Sequence, residues 1–315
     1  MAIELETFRK LTKNIGMFHH STNIGVVCAG DDLILIDSGD SPKDGEALYK
    51  TLSILFPTKK ITDLLITHSH KDHCGGTGSL TFLTAKDGLR CTVWATEVES
   101  HLLALPNLKA DLYWGAVPTI DVERFAVDNL AAISADKIIT EEPVSFGNNI
   151  SITPISLPGH FYNQVGFLVH DKEDDKKVFF LADGLFGASM IKKYWIPFMQ
   201  NPDEFRKSVE KIEHTPSDFY IPSHGDVYDS SNINAIAELN SIITYETEIL
   251  IAKLLKEKSL TSEELIAEVA NFSGIELKLG QYILIGYTLR CYLSNLYNAN
   301  LITYEIKDNK FLWRV

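Results

Sequence analysis

The segment Thr67-His68-Ser69-His70-Lys71-Asp72-His73-Cys74-Gly75-Gly76 places three imidazoles and one carboxylate within six positions. That crowding restricts how the chain can fold. A strand sends successive side chains to opposite faces and a helix spreads them around its axis, so neither turns all four inward. A loop after a strand does. The apolar run 61–67 reads as a buried strand that delivers the chain to His68, and Gly75 and Gly76 let the backbone turn tightly behind it. Imidazole suits zinc, iron and similar borderline metals, and the carboxylate adds negative charge.

Other polar residues follow the same grammar of a strand ending in a chemical group. His160 follows Pro158-Gly159 after the strand-like run 150–157. Asp183 closes Val178-Phe179-Phe180-Leu181-Ala182. His224 follows Phe219-Tyr220-Ile221-Pro222-Ser223, and Asp37 ends the run 33–36. A charged Asp183 at the end of so apolar a run is costly without a partner, and a metal pair is a natural one.

Runs 23–29 and 33–36, separated by Gly30-Asp31-Asp32, read as a hairpin, and Pro42 opens a helix to about residue 56. Further strands are expected at 91–95, 150–155, 164–169 and 178–181. Strands alternating with helices, with hairpins mixed in, indicate α/β layers with a mixed sheet. Residues 105–140 fit this rhythm poorly and read as an insertion near the site, either a lid or a surface elaboration. From about residue 230 the pattern changes. A long helix at 233–257, a second capped by Thr261 or Ser262 and running to 269, and a third at 281–297 precede two strands joined at Asp308-Asn309. That is the pattern of a small winged-helix module. The expected division is a catalytic domain, 1–235, and a winged-helix-like domain, 236–315.

Charge narrows the function classes. The net charge of -13 argues against a sequence-independent nucleic-acid grip, which needs Lys and Arg against phosphates. From residue 241 onward 8 Lys+Arg nearly balance 9 Asp+Glu, so the acidic excess sits in the part carrying the histidines. Cys28, Cys74, Cys91 and Cys291 show no paired spacing, which fits a reducing compartment. The first residues carry no apolar targeting core, and no stretch reaches the ~18 uncharged apolar residues of a membrane span. A cytoplasmic protein without membrane contact is expected.

Taken together, the His68–His73 segment resembles the H-x-H-x-D-H signature of the metallo-β-lactamase superfamily. Gly159-His160, Ala182-Asp183-Gly184 and Ser223-His224-Gly225 resemble its remaining ligand motifs, in order. The resemblance spans roughly residues 15–230. It implies a four-layer αββα sandwich with two metal ions, zinc foremost and iron or manganese also suited, at one edge of the paired sheets. Carried over by position, His68, His70 and His160 would hold the first ion, Asp72, His73 and His224 the second, and Asp183 would bridge them. Asp37 resembles the family's first-strand Asp, which orients a ligand. The bridging Asp, with no Cys in the second site, looks closer to the glyoxalase II and lactonase branches than to common zinc β-lactamases.

The expected chemistry is attack by metal-activated hydroxide on an ester, thioester, lactone or amide carbonyl of a small molecule. Asp72 would accept a hydrogen bond from the nucleophilic water, and Tyr162 would donate to the developing oxyanion. Trp114, Phe186, Trp195 and Phe198 are candidates for an apolar pocket. Two other chemistries compete on the same residues: an RNA or DNA phosphodiesterase, with the tail holding nucleic acid, and an iron-dependent sulfur dioxygenase. The tail is expected to shape the pocket rim or a homo-oligomer contact.

Overall fold

A computed structural model describes residues 3–127 and 130–315 of the chain. A seven-stranded sheet runs in sequence order through β1 (Phe8–Lys10), β2 (Ile15–Phe18), β3 (Ile24–Ala29), β4 (Asp32–Ile36), β5 (Lys60–Leu65), β6 (Thr92–Ala95) and β7 (Lys137–Ile138). A five-stranded sheet comprises β8 (Val144–Phe146), β9 (Ile150–Ser156), β10 (Val165–Asp171), β11 (Lys176–Ala182) and β12 (Phe219–Pro222). Both are mixed, because neighbours joined by short turns run antiparallel while those joined through helices, such as β4 to β5 and β11 to β12, run parallel. The expected hairpin is β3–β4, closed by Gly30 at φ 62° and Asp31.

Why two sheets stack is visible in the period-two patterning. Within β4, Leu33 and Leu35 face one way, toward Leu48 and Leu52 of helix α1 (Pro42–Leu55). Ile34 and Ile36 face the other way, toward Ile152, Phe167, Val178 and Phe180 of the second sheet. On β11 the alternation repeats: Val178 and Phe180 enter the inter-sheet layer, whereas Phe179 and Leu181 face the helices beyond. Strands buried on both faces therefore give three apolar layers between four layers of structure, and each fully buried Leu, Ile or Phe contributes about 1.5–3 kcal/mol. The architecture is the αββα sandwich that the sequence led us to expect.

Short helices α2 (Lys71–Cys74), α3 (Thr77–Lys86), α4 (Glu97–Ala104), α5 (Leu108–Trp114) and α6 (Ile120–Val127) lie between β5 and β7. The poorly patterned 105–140 stretch thus contains two helices and an edge strand. Its residues 128 and 129 lie outside the described residues. Helices α7 (Ala188–Tyr194) and α8 (Pro202–Glu213) connect β11 to β12.

Three helices follow, α9 (Ile233–Glu257), α10 (Ser262–Phe272) and α11 (Leu279–Asn298), and then the hairpin β13 (Thr303–Lys307) and β14 (Lys310–Arg314). Thr261 caps α10 through its hydroxyl, and Asp308 and Asn309 turn the hairpin at positive φ. This part shares one continuous core with the sandwich: Phe179, Phe205 and Val209 belong to the same apolar cluster as Ile251, Leu265, Leu289 and Tyr292. Polar ties reinforce it. Buried Asn240 of α9 both accepts from the backbone N–H of Phe186 and donates to its carbonyl, and Thr288 of α11 accepts from the Met199 N–H. No helix among the described residues is long and apolar enough to cross a membrane.

Close backbone packing fixes the histidine loop against α1. A Cβ on Gly76 would meet the Ser38 carbonyl at 2.2 Å, and one on Gly45 of α1 would meet the Gly76 carbonyl at 2.2 Å. Gly76→Ala should therefore destabilise the fold by about 2 kcal/mol through overpacking, measured by urea unfolding. A neutral outcome would mean that loop and helix separate readily.

Candidate metal centre

Every residue singled out from the sequence as a ligand lies beyond the C-terminal end of a strand, and the two sheets bring those ends together. Asp37 follows β4, His68 and His70 follow β5, and His160, Asp183 and His224 follow β9, β11 and β12. Asp72 and His73 fall within the single turn of α2, for which His70 occupies the N-terminal cap position. The chain turns sharply at two of these points. Asp37 and Ala182 adopt left-handed φ values of 64° and 51°, a strain of about 1–3 kcal/mol each. It re-aims Asp37 and Asp183 off the ends of their strands.

Three nitrogens converge first. His68 Nε2 lies 2.8 Å and His160 Nε2 lies 2.9 Å from His70 Nδ1. On the other side, His73 Nε2 is 3.5 Å and His224 Nε2 is 3.1 Å from Asp72 Oδ2. Asp183 stands between the groups: Oδ2 is 3.3 Å from His160 Nε2 and 3.5 Å from His224 Nε2, and Oδ1 is 3.7 Å from His73 Nε2. Each group satisfies the spacing of a metal-ligand set.

Orienting hydrogen bonds aim these atoms. His160 Nδ1 donates to the Phe198 carbonyl at 2.8 Å and His224 Nδ1 to the Ser21 carbonyl at 2.7 Å, which turns both Nε2 atoms inward. Asp37 is wholly buried and organises two more rings. It accepts from His73 Nδ1 at 2.8 Å and from the Thr67 N–H and hydroxyl, each at 2.9 Å. With its proton given to Asp37, the Thr67 hydroxyl accepts from His68 Nδ1 at 3.2 Å. Thr22 donates to Asp72 Oδ2 at 3.1 Å.

The donor set is of the kind that holds divalent metal ions. His73 Nε2 and Asp183 Oδ1 are buried without a hydrogen-bond partner, an arrangement that is costly unless a positive charge sits between them. Electrostatics distinguishes the two groups. Burial, reinforced by the neighbouring imidazoles, holds His68 and His70 well below the ordinary imidazole range, and burial lowers His160 too, so their lone pairs are available. Burial also disfavours a charged His73, but Asp72, Asp183 and Asp37 outweigh it and push His73 up to about 10. His224 is likewise raised despite burial, by Asp183 and Asp72. Asp72 and Asp183 are held low against burial by the surrounding imidazoles. In the metal-free protein this second group therefore retains protons where a metal would supply the charge.

These ligand atoms open into a cavity of about 510 Å³. Tyr113, Phe125, Phe186, Ile196, Phe198 and Ile285 form its apolar wall, while Asp40, Lys71, Lys193 and Gln281 bring polar groups to it. Of the aromatics expected to line a pocket, Phe186 and Phe198 do. Trp114 instead points to solvent, 45% exposed, and Trp195 packs against the helical core. Tyr162 is likewise absent from the lining, in contrast to the role expected for it. It packs on Phe161 at a ring separation of 5.1 Å, and its hydroxyl pairs with Tyr287. The tyrosine in the wall is Tyr113, whose ring lies 6.3 Å from that of His70. It was missed because it lies in the weakly periodic insertion.

Fold and site together define a metallohydrolase architecture, and the sequence matches the metallo-β-lactamase superfamily over residues 18–252, so the chain belongs to that family. Among curated relatives it is 23% identical over 267 residues to an atrochrysone carboxyl ACP thioesterase of Passalora fulva, covering 83% of this chain and 67% of that protein. It is 26% identical over 235 residues to a hydroxyacylglutathione hydrolase of Nitrobacter hamburgensis, covering 74% and 70%. Among solved structures, a β-lactamase domain protein from Burkholderia ambifaria has the same fold, with a TM-score of 0.79 and 15% identity over 98% of this chain and 94% of that one. That likeness extends through the C-terminal helices.

A pH dependence follows for the metal-free protein. His73 is raised above its ordinary value of 6.5, so its protonation stabilises the fold fully below that value and the contribution is lost as pH climbs through about 10. Chelator-treated protein should lose thermal stability over that range, and zinc-loaded protein should not follow the same trend. Parallel melting curves for the two forms would contradict the assignment.

Proposed function

We propose that the chain is a dinuclear metal-dependent hydrolase acting on a thioester, ester or lactone of a small, largely apolar carboxylic acid. The observation that carries this reading is the meeting of seven ligand-type side chains at the base of a cavity walled by aromatic and aliphatic residues. Its curated relatives named above include a thioesterase and a hydroxyacylglutathione hydrolase, which favours a thioester within that set. An apolar wall suits an acyl group better than a phosphodiester, so the nucleic-acid reading is not favoured. The complete second set of Asp72, His73 and His224 likewise speaks against a single-iron dioxygenase.

His68, His70 and His160 would hold one divalent cation, and Asp72, His73 and His224 the other, with Asp183 between them. Zinc is the first choice and iron or manganese fit the same donors. Bound there, the pair would supply an acidified water, its pKa brought from 15.7 towards ~7, and a Lewis acid for the carbonyl. The protein's own groups do the rest. Asp72, ionised and facing the cavity, accepts a hydrogen bond from the nucleophile and fixes its approach. Phe186, Phe198 and Ile285 seat the acyl group and exclude bulk water. Tyr113 closes the wall beside His70 and brings a phenolic ring to the lining. Residues 236–315 are read as a winged-helix-like unit whose α11 completes that wall, with no nucleic-acid role assigned.

Turnover of a panel comprising an aryl thioester, an acyl lactone and single-stranded RNA tests the reading. Hydrolysis of a carbonyl substrate, with RNA untouched, is expected. Asp183→Asn and His70→Ala should reduce that activity to background while near-ultraviolet circular dichroism stays unchanged. Full turnover by either variant would refute the site. Phe198→Ala should raise KM for thioesters of small apolar acids such as a phenylacetyl or hexanoyl thioester by roughly tenfold, in keeping with about 1–2 kcal/mol of lost apolar contact, and leave an acetyl thioester much less affected.

A further inference from the structure

Two charged residues that the proposed chemistry does not use are buried completely. Glu99 on α4 is 0% exposed and Lys109 on α5 is 1% exposed, although these residue types are almost never fully buried without partners. Their partners converge on the backbone of one residue. The N–H of Ser69 donates to Glu99 Oε2 at 2.8 Å, and Lys109 Nζ donates to the Ser69 carbonyl, which also accepts from Cys74 Sγ at 3.4 Å. Ser69 is the residue between His68 and His70.

The second carboxylate oxygen reaches elsewhere. Glu99 Oε1 accepts from the Asn163 N–H at 3.1 Å, and Thr96, at the start of α4, donates to the Asn163 carbonyl at 2.9 Å. Asn163 belongs to the loop that carries His160. One carboxylate therefore holds together the two chain segments that supply His68, His70 and His160, and none of the residues in the other group lies on a peptide it touches. Burial raises the Glu99 pKa, and the Ser69 and Asn163 hydrogen bonds and Lys109 oppose that rise.

We propose that Glu99 and Lys109 are positioning residues for the His68–His70–His160 group, fixing the spacing of its three nitrogens through the Ser69 and Asn163 peptides. The proposal rests on the metal reading above. It also accounts for the insertion: α5 carries Tyr113 one turn beyond Lys109, so the helix that walls the cavity is anchored directly to the histidine loop. The insertion is then a fixed arm and not a swinging lid.

Each group can be isolated in the full chain. His224→Ala leaves the first group complete, and His160→Ala leaves Asp72, His73, Asp183 and His224. Glu99→Gln presents an amide donor to one of two backbone donors, and Lys109→Met keeps the stem while removing the charge. Zinc affinity is read by competition with a chromophoric chelator. In the His224→Ala background both substitutions should weaken zinc binding at least tenfold, and in the His160→Ala background they should change it less than twofold. Unchanged affinity in the first background, or equal losses in both, would overturn the proposal. So would loss of the folded state in both variants, which would mark a general structural role. If the unsubstituted chain binds no zinc, the metal reading itself fails and the proposal falls with it; zinc binding indifferent to Glu99 and Lys109 removes the proposal alone.

Discussion

Asp183 is a buried carboxylate within 3.7 Å of imidazoles from both sheets, and most of the structure can be understood as what is needed to keep it there. A lone charge at that depth would be unstable. Surrounded by His73, His160 and His224 it is held ionised, and it joins two ligand groups into one centre. The rings come from strand ends on different sheets, so the centre exists only while the sheets stay aligned. A buried apolar layer between the sheets provides that alignment. Polar crosslinks near the site reinforce it, among them buried Asn23, which follows the first sheet's β2 and donates to the carbonyls of Pro222 and Gly225 on either side of His224.

The legible part of this protein was the part written in local pattern. The unbroken apolar runs 33–36 and 178–181 read as strands, and the three-imidazole loop could belong only after a strand. The later ligands were visible as polar residues closing apolar runs. Helix α9 announced its extent through periodicity and α10 its start through the Thr261 cap, although α10 runs on to Phe272, past the expected end at 269. What stayed hidden depended on burial. Glu99 reads as an ordinary acid in the first turn of a helix and Lys109 as an ordinary surface lysine, because nothing local reveals that α4 and α5 press onto the histidine loop. Tyr162 attracted notice by its spacing from His160, yet its side chain turns to Tyr287. Strands β1 and β2 were also missed, since a three-residue edge strand such as Phe8–Lys10 carries too little pattern to stand out.

Strain and order coincide at the site. Asp37 and Ala182 take left-handed backbone angles at the points where the chain leaves β4 and β11. Such angles persist only where surrounding contacts over-determine them. Here the surrounding contacts are the hydrogen bonds from Thr67 and His73 to Asp37 and the packing of Leu181 and Phe186 beside Ala182. The same bonds that hold the strain also orient the ligands, so rigidity and ligand geometry have a common source.

Beside Phe186, Ile196 and Phe198 of the β11–β12 connection, the cavity wall draws on two stretches more than 150 positions apart, α5–α6 with Tyr113 and Phe125, and α11 with Gln281, Leu284 and Ile285. Neither contributes a ligand atom. Part of the selectivity is thereby encoded away from the ligands, and drift in the final helix can reshape which molecules fit without disturbing the reactive floor. A chain built this way can diversify its diet while keeping its chemistry constant.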